Sequence, residues 1–233
     1  SSKASSQILS VFGIPQISWA STNADLSNKA SYPFYFRSVS PDSLVMKVLA
    51  GFIANLGFAL ANLVYFDASF QTGQSDDFRL AAESLPTLDV MTFKVPNSGA
   101  GGAAISEVNK LEVRKSLRAI QQTGCRVVVG VAINEEAFDL WSEADALGMV
   151  HSAGWMWFGA DGISGGQIAG DLSRVDLFEG SIFIITSSQG PDFQKFADQW
   201  AADMPTTDVP EFTTMPICKD GIICQGEADF TGR

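Results

Sequence analysis

Short apolar runs alternate with amphipathic stretches along this chain at a pitch of roughly 30 residues, the pattern of repeated βαβ units around a parallel sheet. The strand candidates are Asn62 to Phe66, Leu88 to Val95, Arg126 to Ile133, Trp155 to Gly159 and Ser181 to Thr186. Each is short and mostly apolar, which suits strands covered on both faces. Another short strand, read as buried, is bracketed by Ile14 and Ile17, and its exit from Ser18 through Ser27 is dense in hydroxyls and amides. A polar loop leaving the carboxyl end of a strand lies where ligands sit in open α/β sheets. Binding is therefore a stronger expectation than catalysis.

The segments between strands read as helices and carry their own punctuation. Ser40-Pro41 places a cap before a proline at a first helical position, Leu44, Val45, Val48, Leu49 and Phe52 follow, and Gly57 stands where a helix stops. Asn134, Glu135 and Glu136 begin another helix with Phe138 and Trp141 on its apolar stripe and Gly148 at its end. Pro191 leads into a third, with Phe193, Phe196, Ala197 and Trp200 at helical spacing. A longer, more polar helix from about Ile105 to Gln122 buries Val113, Leu117 and Ile120 and exposes Lys110, Arg114 and Arg118. No linker, internal repeat or low-complexity stretch interrupts the run; SGAGGAA at 98–104 is the one candidate break. The tail from Pro205 has little periodicity and reads as an extended closing segment.

Composition narrows the function classes. With 233 residues, 46% of them hydrophobic, the chain can bury one large core or two smaller ones. A formal charge of −11 with 15 basic residues removes the positive field that nucleic acid requires, and it opposes docking on anionic lipid. The apolar run from Leu44 to Leu56 is broken by Lys47, Gly51 and Asn55 and falls short of the ~20 residues of a membrane span. SSKASSQILS lacks the regions of a secretory signal, so a mature or internal start is expected. Cys125 opens the run CRVVVGVAI as a small buried thiol. Cys218 and Cys224 flank the turn KDGII, a spacing that permits a local disulfide.

Enzyme signatures are weak. Gly99-x-Gly101-x-x-Ala104 lies between a strand and a helix, as a dinucleotide fingerprint would. However, Pro96-Asn97-Ser98 lengthens the turn, and no acid closes a second strand about 20 residues on. His151 is the sole histidine, so a histidine-based triad must use it, and no G-x-S-x-G elbow is present. Neither an enzyme nor a cofactor is expected.

The blocks IPQISWAST, DLS, YPFYFRSVSPDS and VYFDASFQTGQSDDF run without gaps from Ile14 to about Phe78. CRVVVGVAI, WMWFGADG, FEGSIFII and GPDFQKFADQW follow in the same order. In these blocks the chain resembles the extracellular ligand-binding domain shared by class C G-protein-coupled receptors and natriuretic-peptide-type receptors, itself related to type I periplasmic binding proteins. The resemblance implies an α/β fold of two Rossmann-like lobes with mostly parallel sheets that close on a ligand. Residues 1–40 would be the end of lobe 1, 41–178 a nearly complete lobe 2, and 179–233 a return to lobe 1 with the closing tail. It implies a small, amino-acid-like ligand, held by the hydroxyls of Ser21 and Thr22, with Asp42 and Asp161 facing its ammonium. Phe70, where such receptors commonly carry tyrosine, would keep a ring for cation–π contact. It also implies an extracellular or cell-surface location, periplasmic in a prokaryote, and a homodimer or larger assembly.

Each of these residues has a plainer reading. Asp42 complements the dipole of a helix's first turn. Asp161-Gly162 is an ordinary turn pair, Thr22 can cap its own loop, and Phe70 can be core. Trp19, Trp155 and Trp157 read as core or interface. The alternative function is a receptor-like assembly subunit that binds no ligand, motivated by the partial first lobe and by Phe70.

Overall fold

The computed structural model describes residues 2–97, 104–133, 135–151, 154–160 and 172–186, with Asp192, Gln194, Lys195, Asp198 and Gln199 beyond them. Residues 2–186 lie in one compact unit, Ser1–Thr186, and the remaining five in a second, Ser187–Arg233. The glycine-rich stretch 98–103, Asn134, Asp161, the apolar stripe expected at Phe193, Phe196, Ala197 and Trp200, and the tail with Cys218 and Cys224 lie outside the described residues.

Helix α1 (Ser2–Val11) leads into β1 (Gln16–Ser18), a one-turn 3-10 helix (Ala24–Ser27) and β2 (Tyr35–Arg37). β1 and β2 form a small parallel pair in which Ile17 faces Phe36. The burial expected for this strand is not observed. Ile17 is 76% exposed and Trp19 82%, because nothing among the described residues covers that face. Trp157, by contrast, is core.

The remainder follows the alternating pattern: α2 (Asp42–Asn55), β3 (Leu60–Phe66), α3 (Ser69–Glu83), β4 (Asp89–Val95), α4 (Glu107–Gln122), β5 (Val127–Val131), α5 (Glu135–Ala146), β6 (Met156–Ala160), a 3-10 segment (Leu172–Phe178) and β7 (Ile182–Ile184). The five later strands make one parallel sheet in the order β4-β3-β5-β6-β7. This is the doubly wound α/β arrangement expected. β7, which falls beyond the division expected at 178, pairs with β6 in that same sheet, Phe158 opposite Ile182.

Strand alternation sends side chains to two separate cores. Val64, Phe66, Val128 and Trp157 meet α4 and α5 through Val113, Leu117, Ile120, Phe138 and Trp141. Ala61, Leu63, Val127, Val129 and Phe158 meet α2 and α3 on the other face through Met46, Leu49, Ile53 and Phe78. The stripe expected for α4 is the one buried. That of α2 is rotated: Val45, Met46, Leu49, Ala50 and Ile53 face the sheet, and Leu44, Val48 and Phe52 point outward. β4 is an edge strand with most of its residues exposed, so it lacks the double cover expected. Cys125 is half-buried just ahead of β5.

The stop expected after α2 acts where it was read, and its start is shifted by one residue. Gly57 follows α2 with φ +86°, a left-handed conformation that only glycine adopts without strain. Pro41 itself is the N-cap of α2, leaving Asp42 as its first residue.

Candidate functional site

The polar exit of β1 is a loop held from several sides. Ser18 Oγ accepts from the backbone N–H groups of Ala20 (3.3 Å) and Ser21 (3.0 Å). Asn23 Oδ1 accepts from Asp25 N (3.0 Å) and so caps the short 3-10 turn. From the end of β2, Arg37 Nη1 donates to three successive carbonyls, Ser21 O (3.3 Å), Thr22 O (2.9 Å) and Asn23 O (3.0 Å), and Nη2 donates to Ser27 Oγ. Tyr35 Oη adds a bond to Ser21 O at 3.1 Å. From α1, Ser2 Oγ meets Ser21 Oγ at 2.5 Å, and Lys3 pairs with Asp25 at 2.5 Å.

This loop, the start of α1 and the start of α3 surround an open cavity of about 390 Å³. Ser2, Lys3, Ser21, Thr22, Ser69 and Phe70 are among its walls. Three expected site residues, Ser21, Thr22 and Phe70, are thus brought together, presenting hydroxyls and a half-buried ring to one space.

Asp42 is placed behind this wall rather than in it. It is 3% exposed, its backbone N–H donates to Thr22 O (2.9 Å), and its carboxylate accepts from Gln74 Nε2 (3.1 Å). Burial pushes its pKa above the usual carboxylate value, opposed by the hydrogen bonds from Gln74 and Thr22 and by the nearby Arg37 charge. The side chain expected to face a ligand's ammonium is already engaged by the protein. Asp161 lies outside the described residues.

Arg37, Gln74 and Lys3 were not read from the sequence as site residues. A single arginine at a strand end reads as surface, and Gln74 meets its partner 32 residues away with no local signal.

Partial burial, next to the carboxylates of Asp42, Asp25 and Asp76, pushes Asp77 up to about 6. Because the folded value exceeds the ordinary 3.8, the stability this group contributes is complete below about pH 3.8 and is lost as pH rises through about 6. Asp42 acts in the same direction. The urea midpoint is expected to fall across pH 4 to 7, and Asp77→Asn should flatten that fall. An unchanged pH slope in the variant would refute the assignment.

His151 is not poised as a base. Its Nδ1 lies 2.8 Å from Asp145 Oδ1 and its Nε2 2.8 Å from the carbonyl of Asp176. Two acceptors favour the doubly protonated ring, and the hydrogen bond to Asp145, then that to Asp176, raises its pKa. The adjoining cavity of about 400 Å³ has Arg174 stacked on Phe138 at 3.5 Å and paired with Glu135 at 2.9 Å. Among the described residues no cluster of three His, Cys, Asp or Glu is placed to hold a metal, and no helix is long and apolar enough to cross a membrane.

The chain is 26% identical over 186 residues to metabotropic glutamate receptor 8 of Homo sapiens, covering 76% of the chain and 18% of the receptor. Metabotropic glutamate receptor 6 of Oryctolagus cuniculus is 24% identical over 180 residues, covering 76% of the chain and 19% of the receptor. Metabotropic glutamate receptor-like protein E of Dictyostelium discoideum is 24% identical over 163 residues, covering 70% of the chain and 19% of that protein. The chain therefore spans less than a fifth of the length of these curated relatives. The model of the receptor family ligand binding region matches residues 1–220, and with its doubly wound sheet and hydroxyl-lined cavity the chain belongs to that family of ligand-binding regions.

Proposed function

We propose that this chain binds a small, amino-acid-like ligand at the cavity between the β1 exit loop and the start of α3, and that it binds rather than catalyses. The observation that carries the reading is the convergence of Ser21, Thr22 and Phe70 on one space. In this reading the Ser21 hydroxyl holds the ligand's carboxylate or amine, and Thr22 Oγ1, whose proton goes to Asp42, accepts from the amine. The Phe70 ring lies against its cationic group, with Asp161 taken as a further partner of that group on the family resemblance alone. Asp42 acts by fixing Thr22, the role its burial supports. Residues 1–40 would belong to lobe 1 and the sheet from β3 to β7 to lobe 2, in an extracellular domain that pairs with a second copy.

The names of the relatives make glutamate the first ligand to try. Calorimetric titration of the purified protein with L-glutamate, then with other amino acids, is expected to give saturable heat. Thr22→Val should weaken binding roughly 10-fold, the worth of one hydrogen bond to a charged group. Silence across the panel, or an affinity indifferent to Thr22→Val, would count decisively against the reading.

A second reading, a receptor-like assembly subunit without a ligand, draws on the Asp42 carboxylate, which is already engaged by Gln74 and Thr22. Its signature would be a normal assembly in Asp42→Ala with no ligand response in either protein.

A further inference from the structure

We infer that Arg37 is a positioning residue for the cavity, holding the loop 21–23 in the conformation that sets Ser21 and Thr22 in the cavity wall. The inference rests on the binding reading above for its consequence, but not for its geometry.

Three consecutive carbonyls aimed at one point repel one another, and a backbone curled that way needs a positive group at the centre. The Nη1 of Arg37 is that group, within 2.9 to 3.3 Å of all three oxygens. The hydrogen bonds are charge-assisted and therefore stronger than neutral ones. With the carbonyls drawn toward Arg37, Ser21 and Thr22 stay in the cavity wall, Ser21 Oγ shared with Ser2 and the Thr22 hydroxyl held by Asp42.

Thr22 is gripped twice by the same short stretch of chain. Its carbonyl accepts from Arg37 Nη1 and from the backbone N–H of Asp42, and its side chain hydrogen-bonds the Asp42 carboxylate. Residues 37 to 42, the connection from β2 to α2, thus fix both the backbone and the side chain of Thr22. Tyr35, two residues before Arg37, supports the neighbouring carbonyl of Ser21. The guanidinium itself is not among the cavity's walls, so its influence on a ligand passes through the loop.

The chemistry predicts an ordering of substitutions. Lysine keeps the charge and can point an ammonium at the three carbonyls, but it loses the bond to Ser27. Methionine keeps the length and loses every donor. Arg37→Met should weaken L-glutamate binding roughly 10- to 100-fold, and Arg37→Lys should recover most of it.

Two measurements test this on the whole chain. In hydrogen exchange read by mass spectrometry, Arg37→Met should lose protection over residues 19–27 while β5 stays protected, and Arg37→Lys should keep most of the loop's protection. This readout needs no ligand. Calorimetry with L-glutamate then compares Arg37→Met alone and in a Thr22→Val background, where its further effect should be smaller than in wild type because the Thr22 contact is already gone and only the Ser21 part remains. Unchanged exchange at 19–27 in Arg37→Met overturns the inference. So do equal losses in the lysine and methionine variants, or fully additive effects with Thr22→Val. A wild-type protein that takes up no glutamate, yet loses loop protection in Arg37→Met, rejects the proposed ligand and keeps Arg37 as the organiser of the loop.

Discussion

Trp141→Ala is expected to lower the free energy of unfolding by about 3–5 kcal/mol, the range for removing a fully buried large aromatic side chain. The ring is 0% exposed and stands at the centre of an aromatic cluster. Trp157 lies 4.8 Å away, Phe178 5.4 Å and Phe183 6.0 Å. Its Nε1–H donates to Ser181 Oγ at 2.9 Å, so the indole ties α5 to the chain entering β7. Alanine would open a void between elements that cannot all collapse into it. Gly130 provides an internal check. A Cβ there would meet Trp141 Cη2 at 2.5 Å, so the strand is bare at this point because the ring occupies the space. Gly130→Ala should cost about 1–3 kcal/mol by overpacking. In a Trp141→Ala background its cost should largely vanish, since the added methyl enters the void. Urea unfolding of the four proteins measures both. A cost below about 1 kcal/mol for Trp141→Ala, or a Gly130→Ala cost that persists without the indole, would show that the cluster is not packed as described.

That cluster also shows what a linear reading can and cannot find. Phe138 and Trp141 were legible because α5 has polar residues between its apolar ones, and Val113, Leu117 and Ile120 were legible on α4 for the same reason. α2 is different. Leu44, Val45, Met46, Val48, Leu49, Phe52 and Ile53 surround it with apolar side chains, so periodicity identifies the helix without saying which side meets the sheet. The buried run assumed around Ile14 and Ile17 failed for another reason. Apolar composition marks a strand, but burial needs a second layer, and β1 has one neighbouring strand and no cover on its outer face among the described residues. α1, with serine at four of its ten positions, carries too little apolar pattern to be read.

The site divides in the same way. Ser21, Thr22 and Phe70 came from the resemblance, and the structure sets them around one cavity. Asp42 came with them but is buried behind Thr22, because Gln74 from α3 reaches it across 32 residues of sequence. A contact of that range has no local signature. Arg37 sat in plain view within YPFYFRSVSPDS, yet its three acceptors are backbone oxygens, which any residue supplies and no sequence pattern displays.

Gln71→Leu is expected to cost about 2–3 kcal/mol, the worth of a buried hydrogen bond to a charged group. Gln71 is 2% exposed and donates from Nε2 to Glu136 Oε2 at 2.6 Å, and Glu136 is fully buried. The bond joins the first turns of α3 and α5, which leave the carboxyl ends of adjacent strands β3 and β5 and pack on opposite faces of the sheet. This is the topological switch point of the sheet, where the two halves diverge and a crevice opens. Here a buried, hydrogen-bonded polar pair stands at that point. Leucine would remove one of Glu136's partners while keeping the acid in a dry site, whereas leucine at both positions removes the desolvation penalty with the bond. The double variant should therefore regain most of what the single one loses. Because Gln71 follows Phe70 directly, the single variant should also loosen the ring that walls the cavity and, under the proposed function, weaken L-glutamate binding. Chemical denaturation and calorimetry on the same proteins decide the matter. A single variant as stable as wild type, or a double variant less stable than the single one, would mean that the two helices are held together by something other than this bond.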